Sequence, residues 1–130
     1  MTGFDTLLAR HPDPAHRIAI QRLEQQLVDT VRHHPEGVID ERILSQQVEA
    51  REELIKQLLV ELVGAYVLRT MLFWQCPNGR GAVDEQEQMN DFPLTVECDR
   101  CHEVHHFHVA DVDVKFLPTD RLLNEVGRSR

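Results

Sequence analysis

Apolar positions over residues 16–34 recur at three- and four-residue spacing, as Ile20, Leu23, Leu27, Val28 and Val31, with charged and amide residues between them. That period puts the five side chains on one face and predicts an amphipathic helix. Pro35 and Gly37 end it, because the residue before a proline is pushed out of helical geometry. Val38 and Ile39 predict a very short extended segment, and Asp40 can cap the following helix by accepting its free N–H groups. Ile43, Leu44 and Val48 make the inward face of that short second helix. A third is predicted over residues 51–63, where Leu54, Ile55, Leu58, Leu59, Leu62 and Val63 form a broad stripe. Gly64 stands where a left-handed helix stop is expected.

Residues 66–75 are rich in β-branched, aromatic and large apolar side chains with no turn residue among them, which predicts a strand. Upstream, residues 1–15 read as a lead segment in which Pro12 and Pro14 break any early helix. Residues 77–93 are polar and acidic with Gly79 and Gly81, the composition of a mobile loop. Farther on, Val112, Val114 and Phe116 alternate with Asp111, Asp113 and Lys115, a strand with one buried face. Thr119 or Asp120 then caps a short helix over 121–126, ended by Gly127, and residues 128–130 are expected to fray.

A chain of 130 residues buries one modest core, or a small core plus a lobe that needs a metal to hold it together. Its 14 basic and 22 acidic residues give a formal net charge of −8. Residues 1–75 carry 8 basic and 11 acidic side chains, and 76–130 carry 6 and 11. Neither part has the basic surplus that binding to a phosphate backbone favours. Met1-Thr2-Gly3-Phe4-Asp5 shows no signal-peptide pattern, no apolar run approaches membrane-spanning length, and three cysteines is an odd number. The expectation is a reduced, cytoplasmic protein with no membrane partner.

The candidate chemistry lies in the cysteines and in the histidines near them. Cys76 is followed by Pro77, and Cys98-Asp99-Arg100-Cys101 is a C-x2-C pair followed by His102, His105, His106 and His108. Thiolate and imidazole together select a tetrahedral, zinc-sized site. Cys76, Cys98 and Cys101 are therefore candidate ligands of a structural zinc ion. Over Val104-His105-His106-Phe107-His108-Val109 strand alternation puts His106 and His108 on one face and His105 on the other. The fourth ligand is expected at His106, with His102 and His105 next, since His108 lies furthest from the knuckle.

Gly37-Val38-Ile39 before a short helix, then Leu58-Leu59-Val60-Glu61-Leu62-Val63-Gly64 and Val67-Leu68 entering a strand, resemble a winged helix-turn-helix domain over residues 16–75. Phe73-Trp74-Gln75-Cys76-Pro77 and Val96-Glu97-Cys98-Asp99-Arg100-Cys101 resemble the two knuckles of a zinc ribbon. The ribbon's usual first knuckle has a second cysteine at what is here Gly79, so this one is degenerate. The fold class expected is α+β, a winged helix-turn-helix with an appended or inserted zinc-ribbon-like lobe. Its expected divisions are a lead segment (1–15), a winged helix (16–75), a ribbon-like lobe (76–110) and a C-terminal strand and helix (111–130).

That combination is similar to archaeal transcription factor E and its eukaryotic relatives, which implies an adaptor acting on a protein partner without catalysis. Two rival classes differ in recognisable ways. A DNA-binding regulator would read through the third helix, yet residues 51–64 set Arg51 and Lys56 against Glu52, Glu53 and Glu61. A metal-dependent hydrolase would keep a coordination position open to water. Glu103-Val104-His105-His106 superficially matches the histidine strand of HNH-type nucleases, but only three residues separate Cys101 from His105 and no later asparagine-histidine helix follows. The Pro-Cys-x-x-Cys of zinc deaminases, a nucleophile elbow, a phosphate loop and a dinucleotide fingerprint are all absent.

Overall fold

The computed structural model describes residues 2–128. They form an α+β structure that divides into two compact units, one of residues 2–69 and 116–128 and the other of residues 70–115. Ser129 and Arg130, expected to fray, lie outside the described residues.

The first unit is largely helical. It contains α1 (Thr2–Arg10), α2 (Pro14–His33), α3 (Glu41–Val48), α4 (Glu52–Gly64) and α5 (Asp120–Arg128). It also holds the start of β1 (Leu68–Gln75) and the end of β5 (Val112–Pro118). Ile20, Leu23 and Leu27 of α2 and Ile55, Leu58, Leu59 and Leu62 of α4 are fully buried in one core, as the apolar spacing requires. Asp13 caps α2 by accepting from the Ala15 N–H at 2.8 Å, and Asp40 caps α3 through the N–H groups of Arg42 and Ile43. Between α2 and α3 the extended segment is reduced to Ile39, whose N–H donates to the Phe116 carbonyl at 2.8 Å.

Several expectations are corrected here. The lead segment is helix α1, which buries Phe4 and Leu7 completely. Pro12 lies beyond its end and Pro14 opens α2, where a proline costs nothing because the first helical N–H has no intrahelical partner. Ile43 points outward, and α3 buries only Leu44 and Val48. Gly64 is the last residue of α4, and the left-handed position falls at Tyr66, φ 62°. There the Tyr66 N–H donates to Val63 O and the Val67 N–H to Leu62 O, the paired bonds of a Schellman stop. At the far end, Thr119 Oγ1 accepts from the Leu122 N–H, and Gly127 is carried within α5.

The second unit is built on short strands. The chain enters it within β1 and leaves it within β5, and these strands are neighbours in a sheet of order β2-β1-β5. β2 (Ala82–Gln86) runs antiparallel to β1, pairing Trp74 with Asp84, and a 3-10 turn follows at Met89–Asp91. Both lie in the stretch expected as a loop. A separate hairpin pairs β3 (Thr95–Glu97) with β4 (Val104–His106) in the register Thr95 to His106, Val96 to His105 and Glu97 to Val104. The core of this unit is aromatic. Trp74 meets Phe92 and Phe107 edge-on, with ring centroids 6.1 and 5.3 Å away, while Phe92 and Phe107 stack at 5.2 Å. Val114, expected on a buried face of β5, is about half exposed.

Candidate metal centre

β1 ends by delivering Cys76 into a tight loop, in which the Gly79 N–H donates to the Cys76 carbonyl and the Cys76 N–H to the Gly81 carbonyl. β3 ends by delivering Cys98 into the second loop. There the His102 N–H bonds back to the Cys98 carbonyl, and the Cys98 N–H donates to Glu103 O, closing the turn that begins β4. β4 supplies His105 from its inward face. The structure brings together Cys76, Cys98, Cys101 and His105, with all four donor atoms within 4.8 Å of one another.

The separations fit a metal. Tetrahedral zinc holds sulfur at about 2.3 Å and nitrogen at about 2.0 Å, which puts two sulfurs about 3.8 Å apart and sulfur and nitrogen about 3.5 Å apart. Cys76 Sγ lies 3.8 Å from Cys101 Sγ and 4.0 Å from Cys98 Sγ. His105 Nε2 lies 3.5 Å from Cys76 Sγ and 3.1 Å from Cys101 Sγ. None of the three cysteines is in a disulfide. Cys76, Cys98 and His105 are buried and Cys101 is partly so. Four protein donors would fill the coordination sphere of a tetrahedral metal.

The loop backbone conditions the thiols. The Cys101 N–H aimed at Cys98 lowers that thiol to about 7; burial opposes this and the Arg100 N–H reinforces it. Burial pushes the Cys101 thiol up, against the Glu103 N–H. Backbone N–H groups directed at sulfur favour the thiolate, which is the form that binds metal.

His106, the expected fourth ligand, is placed elsewhere. It pairs with Thr95 on the opposite face of β4 and is exposed, as are His102 and His108. The signal for His105 lay in cross-strand register. Val96 shares an inward face with Cys98 two residues on, and the hairpin sets His105 opposite Val96.

Two side-chain contacts join the loops. Asn78 Nδ2 donates to Glu103 Oε2 at 3.0 Å, and Arg100 Nη1 donates to the Arg80 carbonyl at 2.6 Å. Arg100 lies against Gly81, where φ is 96° and a Cβ would collide with the guanidinium. The first loop offers one donor, Cys76, and these contacts tie it to the second loop as well.

Comparison of this chain with protein-family models, curated proteins and solved structures found no match.

Proposed function

We propose that this protein is a non-enzymatic interaction module, a winged helix-turn-helix carrying a degenerate zinc ribbon in which zinc has a structural role. The observation that carries this is the complete Cys3His donor set, buried and at tetrahedral spacing. A site filled by four protein ligands stabilises a fold and gives substrate no place to bind, so the hydrolase reading loses its requirement. The order α2, the extended Ile39 bridged to Phe116, α3, α4 and β1 supports the winged-helix reading. The outward charge of α4 supports an adaptor over a DNA reader, since Glu52, Glu53 and Lys56 are exposed along it.

Metal analysis together with a binding titration tests the proposal. Protein purified without chelators is expected to hold about one zinc per chain and to lose it in Cys98→Ser and His105→Ala, but not in His106→Ala. Duplex DNA at physiological salt is expected to bind far more weakly than the roughly 10⁻⁸ M of specific readers. Zinc-free protein would remove the structural-metal reading, and sequence-specific nanomolar DNA binding would replace the adaptor with a regulator.

A further inference from the structure

Tyr66 occupies a position where a bulky side chain is costly and a glycine is not. Left-handed backbone crowds the Cβ of any L-residue, and Schellman stops carry glycine there for that reason. The stop that ends α4 has its glycine two residues early, at Gly64, and puts an aromatic ring at φ 62° with 73% of its surface exposed. Among the described residues the ring makes no hydrogen bond or ring contact with the helical unit. Local strain held at an exposed residue points toward a function outside the fold.

The surroundings indicate what the ring meets. Tyr66 borders a groove of about 530 Å³ between α1 and α4, with α5 at one end. Val60, 55% exposed, adds apolar surface to the same groove. Arg10 and Arg121 flank it, with side chains 63% and 43% exposed. The carboxylate that also lines it, Glu61, already receives His11 Nε2 at 2.9 Å and Arg10 at 3.9 Å. Arg121 donates to the Ala65 carbonyl at 3.1 Å and lies 3.6 Å from Glu125. A guanidinium has five N–H donors, so neither contact exhausts its capacity. In a chain of net charge −8, this groove sets two arginines and one carboxylate, Glu61, beside a tyrosine and a valine. Tyrosine and arginine are also among the residues enriched where protein interfaces concentrate their binding energy.

We infer that this groove docks a protein segment in which an aspartate or glutamate adjoins a large apolar side chain, the apolar group packing on Tyr66 and Val60 and the carboxylate reaching Arg10 or Arg121. The inference deepens the adaptor reading and rests on it, naming the surface and the chemistry of the partner.

The test is selection from a random peptide library on the purified, zinc-loaded protein, followed by titration of the best synthetic peptide against variants. Enriched peptides are expected to place Asp or Glu within a few residues of Leu, Ile, Phe or Met. Tyr66→Gly and Arg10→Glu are expected to weaken binding by about tenfold or more. Tyr66→Gly is also expected to melt about 3–6 °C above the parent, because it relieves the left-handed strain; this separates loss of docking from loss of fold. A library that enriches nothing would overturn the adaptor reading and this surface with it. Peptides that bind Tyr66→Gly and Val60→Glu unchanged would overturn the groove alone. A Tyr66→Gly variant that melts lower would show that the ring serves the fold, and self-association lost in that variant would make the occupant a second copy; either result overturns the inference.

Discussion

His105 and His106 are adjacent in sequence and differ in everything that decides ligation. One is 7% exposed with its Nε2 3.1 Å from a thiol, and the other stands in solvent across the strand. Residue types alone disclose the three cysteines, because C-x2-C beside a Cys-Pro is an unusual composition. They do not disclose which histidine completes the set. That choice depends on a pairing register, which nonlocal hydrogen bonds fix. Gly81 is a further case in which the surroundings decide the residue. Gly81→Ala is expected to push Arg100 off the Arg80 carbonyl and strain the loop, at a cost of about 1–3 kcal/mol in metal affinity. Competition against a metal chelator measures it, and affinity equal to the parent's would show that the clasp does not hold the first loop.

At the scale of elements, the helices with a sustained apolar period, α2 and α4, were legible to within a residue or two at each end. α1 was not. Its apolar positions Phe4, Leu7 and Leu8 span a single turn, and the nearby prolines read as breakers when they in fact separate two helices. β2 was hidden for a different reason: Ala82-Val83-Asp84-Glu85-Gln86 is polar, and it becomes a strand only because β1 offers it an edge. α1 is nonetheless firmly seated. Leu7, fully buried against the helical core, is expected to cost about 2–5 kcal/mol when cut to alanine. Chemical denaturation reads the loss, and a change under 1 kcal/mol would mean that α1 contributes little to the core. A smaller cost, about 1 kcal/mol, is expected for Asp13→Ala, which removes the acceptor that caps α2.

For the whole molecule, the acidic balance and the α+β class were readable from composition and pattern, whereas the division of the chain was not. Residues 116–128 follow the strand-rich unit in sequence but bury Phe116, Leu122 and Val126 in the helical core. No local signal marks that return, since β5 reads the same whichever core receives its end. Among the described residues no helix is long and apolar enough to cross a membrane.

The passage of the chain out through β1 and back through β5 also sets an order of events during synthesis. Once Lys115 has been added, all of residues 70–115 exist, including the four candidate metal donors. The helical core still lacks Phe116, Leu122 and Val126. The later-starting unit is thus the first to be complete. A released chain truncated after Lys115 is expected to bind metal through Cys76, Cys98, Cys101 and His105 while its N-terminal helices remain open to protease.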